Sequence, residues 1–470
     1  MKRSTYLLSL IQNGQTMTFM QQLHLAVLLS VPAIIAQFSS IIMQYIDASM
    51  VGSLGANASA SIGLVVSSTW LFWGICTTVA AGFSVHVAHL IGAKDRIGAR
   101  TVLRQAIVST LLFSFVLVVI GALVSQKLPY WLGADASIAE DASKYFLIFI
   151  LSLPALQLNF LASGMLRSSG NMHIPSILNV IMTVLDVIFN FFLIFPSREI
   201  HLLGADIFVS GAGLGVVGAA LGTAISYFVT AILLLLYLIT KDKNLRLTQE
   251  NGSFVPKKAV LKKALKISLP MTMEHIVIMG AQIMSTVIVA PLGIAAIAAN
   301  SFAITAEGLC YMPGYGIAEA ATTLVGQSIG AGRKELTKRF AHITVFMGMA
   351  VMTVMGAIMY FAAPLIMGFM TSVPEVVSLG VMALQIEAFA EPMFAASIVA
   401  YGVFVGAGDT FIPSIMNFSS MWAIRLTLAA LLAPVLGLKG VWIAMCIELC
   451  FRGAIFLFRL FKGKWLNKSL

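Results

Sequence analysis

The chain has 470 residues, 59% of them hydrophobic and only 10% charged, with a formal net charge of +10. A soluble domain carries about 25% charged residues, so this chain cannot cover a core with a polar surface and lipid must be its solvent. The excess of positive charge sits where membrane topology would put it, as set out below, and does not point to nucleic acid.

Residues 1–20 begin with Lys2 and Arg3 and read as a short cytoplasmic amphipathic lead-in that lacks a cleavable-signal pattern. A helix needs about 20 residues to cross a hydrocarbon layer of about 30 Å. Spans of that kind fall near 25–50, 58–82, 101–125, 143–166, 174–196, 213–240, 267–291, 297–325, 342–367, 377–405, 411–433 and 437–461. Several are overlong, which predicts tilt or kinks; Pro32, Pro154, Pro270, Pro313 and Pro392 are the candidate kink sites. Between spans 6 and 7 lies a linker, 241–266, polar at 248–253. Its basic stretch from Pro256 to Lys266 is expected to form a helix on the inner leaflet. The linker divides an N-lobe, 1–240, from a C-lobe, 267–470.

Twelve spans place both ends of the chain on one side. Counting Arg104 and Arg459 at span edges, that side holds 23 of the 29 basic residues, whereas the opposite loops hold Lys127, Arg198 and Lys439. The basic side is therefore expected to be cytoplasmic. The cysteines, Cys76, Cys310, Cys446 and Cys450, lie inside apolar runs and read as packing residues, not a disulfide framework. The run from Gly213 to Gly218 spells G-x-G-x-x-G, but no strand precedes it, so close helix packing through Gly218 and Gly222 is the better reading. There is no P-loop lysine, no H-E-x-x-H and no nucleophile elbow. ATP bound to this chain is thus excluded as a power source, and neither a clustered catalytic set nor a sizeable soluble domain supports an enzyme or receptor.

The chain repeats itself at an offset of 238. Pro32 matches Pro270, Leu54-Gly55 matches Leu292-Gly293, and Ile91-Gly92-Ala93 matches Ile329-Gly330-Ala331. Pro154 and Pro392, Gly164 and Gly402, Gly170 and Gly408, Pro175-Ser176 and Pro413-Ser414, and Asn179 and Asn417 follow the same rule. Prolines and glycines fix backbone shape, so the expected fold is an all-α membrane protein of two six-helix lobes. An even number of spans per lobe sets their pseudo-two-fold axis along the membrane normal.

A carboxylate at mid-bilayer costs about 2.5–3.5 kcal/mol on insertion scales, so each one needs a reason. Asp47 lies toward the outer end of span 1, Asp186 near the middle of span 5, and Asn190 four residues further on; Thr223 on span 6 reaches similar depth. These four are expected around one wet pocket, with Asn159 and Asn179 as possible additions. Two carboxylates in low dielectric repel each other until a proton or another cation intervenes, so the pocket reads as an ion site, with Asp47 and Asp186 as the metal ligands if the ion is Na⁺. The plainer reading for Asp47 is a helix-end carboxylate that reaches water. The C-lobe carries Glu274, Glu307, Glu319, Glu387, Glu391, Arg425 and Glu448 in or near its spans. Arg425 and Glu448 read as a structural ion pair, and Glu274 is placed to meet Lys263 or Lys266. Glu391, mid-span, is the best C-lobe candidate for touching a substrate. Glu274, Tyr311 and Tyr315 join it as candidate substrate contacts, since aromatic faces hold organic cations; for any single aromatic residue, packing is the plainer reading. The 238-residue offset carries Asp47 to Ser285 and Asp186 to Ile424, so the N-lobe acids have no twins and belong to function more than to scaffold.

The run from Tyr45 to Gly55, Leu185-Asp186-Val187-Ile188-Phe189-Asn190, Arg167-Ser168-Ser169-Gly170-Asn171 and the run from Gly326 to Gly332 resemble the signatures of multidrug and toxic compound extrusion (MATE) transporters, over nearly the whole chain. The resemblance implies a bacterial inner-membrane antiporter that expels small organic cations in exchange for inward H⁺ or Na⁺. It implies both termini in the cytoplasm, and it maps the family's first-span and fifth-span acids to Asp47 and Asp186. A monomer in the bilayer without further cofactor is expected. This sequence departs from the family at Met182, where one branch has Asn, and at Ile278 and Phe394, where another branch has acids; Glu274 and Glu391 lie about one turn from these. Coupling through the N-lobe is therefore the expectation. A lipid-linked oligosaccharide flippase of the same superfamily is the alternative, and would call for a more cationic central cavity.

Overall fold

A computed structural model describes residues 2–202, 205–249 and 251–467; within the polar linker stretch, Glu250 lies outside them. The helices are α1 Lys2–Gln12, α2 Phe19–Gly52, α3 Ala56–Gly92, α4 Arg96–Ser125, α5 Leu128–Trp131, α6 Ala136–Ser168, α7 His173–Ile194 and, after two strands, α8 Gly215–Thr240. Then come α9 Lys258–Val289, α10 Ile294–Gly330, α11 Lys334–Met370, α12 Pro374–Ala388, α13 Glu391–Gly406, α14 Phe411–Ser419, α15 Thr427–Leu436 and α16 Leu438–Lys462. Among the described residues, eleven helical stretches are long and apolar enough to cross a bilayer, and α12 with α13, bent by 59°, makes a twelfth when the pair is taken as one broken span. Local chemistry sets the starts. Thr18 accepts from the Gln21 amide and Gln21 reaches back to the Thr18 amide, a capping box for α2. Asp95 accepts from the Gly98 amide at the start of α4.

Four sequence expectations change. Span 10 is not continuous: it turns at Phe389–Ala390, and Pro392 sits in the first turn of α13, where its missing N–H and fixed φ are tolerated. Pro32, Pro154, Pro270 and Pro313 lie inside unbroken helices. The basic stretch before span 7 is no separate surface helix, because Lys258 onward is the first part of α9 itself. The lead-in helix α1 does not merely lie on the membrane; Leu7, Leu8, Leu10 and Ile11 are buried against α2, α10 and α11 with Leu25, Ala320, Leu324 and Phe340. Finally, the loop between spans 5 and 6 forms an antiparallel hairpin, β1 Pro196–Leu202 and β2 Ala205–Ala212, so a strand does precede Gly213, though in a two-stranded hairpin and not a βαβ unit. Arg198 anchors it, its guanidinium 4.1 Å from the Phe195 ring centroid and 4.8 Å from that of Phe191. Span 11 runs from α14 to α15 through a π-helical stretch, Ser420–Leu426, whose extra residue re-aims Arg425.

The repeat has a direct structural meaning. Gly170 and Gly408 both take left-handed φ, +89° and +78°, a conformation open to glycine at no steric cost. More important is where α3 crosses α10. A side chain at Gly92 would place its Cβ 2.0 Å from the Gln327 carbonyl oxygen, and one at Gly330 would lie 2.0 Å from that of His89. These are the same contact seen from the two lobes, since Gly92 and Gly330, and His89 and Gln327, are related by the 238-residue offset. Hydrogen bonds repeat the pattern: Gln327 Nε2 donates to the Ser168 carbonyl at 2.7 Å, and His89 Nε2 meets the Gly406 carbonyl at 2.7 Å. In each case a residue of one lobe satisfies a carbonyl at a helix end of the other, a group without an intrahelical partner. The crossing lies on the face that carries both described ends, called here the terminal face, and it draws the lobes into backbone contact there.

Adding one methyl group at this crossing must push two backbones apart. Gly92→Ala and Gly330→Ala are each expected to cost about 1–3 kcal/mol, the usual price of overpacking, whereas Gly52→Ala, with open space around it, should cost nothing. Thermal unfolding of the detergent-solubilised protein measures this; equal melting temperatures for all three variants would refute the tight crossing.

Candidate functional site

Spans 1, 5 and 6 converge in the N-lobe. Asn190 on α7 is fully buried and its amide Nδ2 donates to Asp47 Oδ1 on α2 at 2.8 Å and to Asp186 Oδ2 at 3.0 Å. Asp186 and Asn190 share one face of α7 because they are four residues apart. The two carboxylates also face each other, and Thr223 on α8 faces Asp186. Space for this arrangement comes from Gly222, where a Cβ would fall 2.1 Å from Asn190 Oδ1. Asp186 is fully buried, yet among the described residues its Oδ1 has no hydrogen-bond partner, and neither has Asn190 Oδ1. Two carboxylates in contact, with two unused oxygens beside them, form a set of acceptors that lacks a positive charge.

The structure thus brings together Asp47, Asp186, Asn190 and Thr223. It does not bring Asn159 or Asn179 to the carboxylates. Asn179 donates to the Ala36 carbonyl at 2.8 Å and to Ser40 Oγ at 2.9 Å, tying α7 to α2. Asn159 donates to Thr230 Oγ1 at 2.8 Å and ties α6 to α8. Both amides stitch helices below the acid pair, as does the buried contact of Ser39 with Thr183 at 2.8 Å. Two residues that sequence reasoning passed over, Tyr145 on α6 and Tyr227 on α8, stand within electrostatic reach of both acids. Their depth along spans 4 and 6 was the signal that could have found them.

The C-lobe handles its acids differently. Glu274 does not meet Lys263 or Lys266; it is buried and accepts from Tyr401 Oη at 2.6 Å, Ser414 Oγ at 2.7 Å and Asn417 Nδ2. Asn417 and Glu274 correspond by the repeat to Asn179 and Ala36, so the same asparagine ties the same helix pair in each lobe. A carboxylate engaged by three donors is poorly placed to take a substrate. The Arg425–Glu448 pair forms, with Arg425 Nε 3.2 Å from Glu448 Oε2, and Arg452 donates to both Glu448 oxygens at 2.7 and 2.8 Å. Glu391 opens α13 just beyond the bend in span 10, beside Cys310 and within electrostatic reach of Glu307, while Glu387 lies one turn before it. Glu387 and Glu391 are fully buried; among the described residues neither meets a cation, and only the Cys310 thiol stands within hydrogen-bonding reach of Glu391. Tyr311 packs edge-on against Tyr315 and Phe394, with centroids 5.8 and 5.5 Å away, and Tyr315 remains 43% exposed.

The MatE family profile matches residues 32–192 and 270–431, one match in each lobe. A probable multidrug resistance protein NorM from Thermotoga maritima is 26% identical over 448 residues, covering 94% of this chain and 93% of that protein. A probable multidrug resistance protein NorM from Mannheimia succiniciproducens is 25% identical over 451 residues, with 93% of each chain covered. Among solved structures, a MATE protein in complex with MaL6 superposes with a TM-score of 0.87 at 21% identity, over 97% of this chain and 100% of the other. An outward-facing multidrug resistance MATE transporter of the MOP superfamily gives 0.86 at 20% identity, over 98% and 99%.

The two kinds of C-lobe acid make a contrast that stability can read. Glu448→Gln strands Arg425 and Arg452 in the protein interior and is expected to cost about 3–5 kcal/mol, as breaking a buried ion pair does. Glu391→Gln removes a buried carboxyl that has no cationic partner among the described residues and should leave stability equal or higher. Melting curves of the two variants in detergent test this, and a Glu391→Gln variant less stable than Glu448→Gln would overturn the assignment.

Proposed function

The chain belongs to the MatE family and is a multi-pass membrane transporter of the multidrug efflux type, not an enzyme; from that premise we propose that it is an antiporter that exports small organic cations in exchange for inward H⁺ or Na⁺. The observation that carries this reading is the contact of half-buried Asp47 with fully buried Asp186 around Asn190, which leaves acceptor oxygens without a donor among the described residues. A proton would fill that need by bridging the carboxylates. Sodium would fill it with oxygen ligands drawn from Asp47, Asp186, Asn190 and Thr223. Either cation enters as the driving substrate, and an ion moves a conformational equilibrium only by binding one state better than the other. The two lobes, closed here at the α3–α10 crossing, are suited to rock so that this crossing parts in the alternate state and access alternates between the faces. The terminal face, which carries most of the basic residues, is assigned to the cytoplasm and the bilayer to the bacterial inner membrane, where the protein acts as a monomer.

Tyr311, Tyr315 and the acids near the bend of span 10 supply the cation-binding surface in this reading, with Glu391 better placed than Glu274. A lipid-linked oligosaccharide flippase is less well supported, because Arg167, Arg425 and Arg452 each pair with a carboxylate and leave little net positive charge for a pyrophosphate.

Asp47→Asn is expected to abolish ethidium efflux and drug resistance while the protein still reaches the membrane. Vesicles with an imposed Na⁺ or pH gradient identify the ion: the wild type should respond to one of the two gradients and the variant to neither. Unchanged efflux in Asp47→Asn sinks N-lobe coupling.

A further inference from the structure

Helix α10 carries Tyr315, Glu319, Thr323 and Gln327 at four-residue spacing, one turn apart, along the seam between the lobes. Three of these grip the last turn of α6 in the other lobe. Glu319 Oε1 accepts from Arg167 Nη1 at 2.5 Å, Thr323 Oγ1 donates to the Arg167 carbonyl at 3.2 Å, and Gln327 Nε2 donates to the Ser168 carbonyl. Gln37 on α2 adds a second donor to Glu319 Oε1 at 3.1 Å.

The repeat separates scaffold from chemistry here. Gln327 with Ser168 has its counterpart in His89 with Gly406, and that capping contact exists on both sides. Arg167 with Glu319 has its counterpart in Val405 and Ala81. Closing the lobes therefore does not require a charge pair at this position, since the symmetry-related position closes without one. Nor is the pair sealed off: the Arg167 and Glu319 side chains remain 28% and 24% exposed. One turn outward from Glu319, Tyr315 is the exposed aromatic of the same helix. A carboxylate beside an aromatic face is the chemistry that holds an organic cation.

We propose that Glu319 is a cation-recognition residue of the transport path and that Arg167 is its built-in competitor. The inference rests on the reading of the protein as an exporter of organic cations. With the lobes closed at the terminal face, the guanidinium occupies Glu319 and displaces a bound cation. Parting the lobes there carries Arg167 away with α6 and leaves Glu319 as an unpaired carboxylate that faces the opening. Cation affinity is then high in the state that loads and low in the state that releases, the difference that export requires.

Equilibrium binding of ethidium to the full-length protein in nanodiscs, followed by fluorescence anisotropy, tests this together with efflux from vesicles. Arg167→Gln removes the competitor: ethidium should bind roughly 5-fold tighter or more, within the range of coupling between sites, while efflux slows because release fails. Glu319→Gln should weaken binding by a similar factor, and Glu319→Asp, which keeps the charge, should recover part of it. A purely structural latch predicts instead that Arg167→Gln and Glu319→Gln shift binding in the same direction, and that outcome overturns the proposal. If Glu319→Gln does not accumulate, Arg167→Gln still decides, since weaker or unchanged ethidium binding refutes competition. Absence of ethidium binding and efflux in the unaltered protein would be a different failure, that of the multidrug reading itself, and the proposal would fall with it.

Discussion

Charge has to be accounted for inside a hydrocarbon layer, and the architecture of this protein follows from how it does so. A lone carboxylate at mid-bilayer costs about 2.5–3.5 kcal/mol on insertion scales; two arrangements here offset that cost and a third leaves it standing. Glu274 is surrounded by hydroxyl and amide donors. Glu448 and Glu319 are paired with arginines. Asp47 with Asp186, and Glu387 with Glu391, are left with acceptors that no hydrogen-bond donor among the described residues satisfies. The first two arrangements stabilise a fold. In the function proposed above, the third keeps a place for a positive charge that comes and goes.

The pseudo-symmetry organises these choices. Positions that the two lobes share hold helices together: the crossing glycines, Asn179 and Asn417, and the capping contacts of Gln327 and His89. Positions where the lobes differ carry the charge. Asp47 and Asp186 face Ser285 and Ile424 across the offset, and the Arg167–Glu319 pair faces Val405 and Ala81. A duplicated scaffold needs the same backbone approaches twice, whereas an ion or substrate site is needed only where the chemistry happens. The π-helical stretch in span 11 and the bend in span 10 are likewise confined to the C-lobe, next to Arg425 and Glu391.

The convergence of Asp47, Asp186 and Asn190 was legible because depth along a span can be counted, and because residues four apart share a helix face. The roles of Asn159, Asn179 and Glu274 were not, since depth does not say which way a side chain points or which donors wait there. The bend before Glu391 was hidden because Pro392 is compatible both with a kinked helix and with a helix start. The docking of α1 was hidden because a buried apolar face and a lipid-facing one have the same pattern. The hairpin went unread because strands of seven and eight residues give a weak signal beside long apolar spans.

The sequence by itself determined the solvent, the twelve crossings, the twofold repeat and the acids that break it. All of these depend on composition, length and order along the chain. Only the tertiary structure decided which acids are satisfied, which are paired across the lobes and which are left waiting. For Asp47, Glu274 and Glu319 that outcome depends on donors brought in from helices more than a hundred residues away, and no local pattern records them.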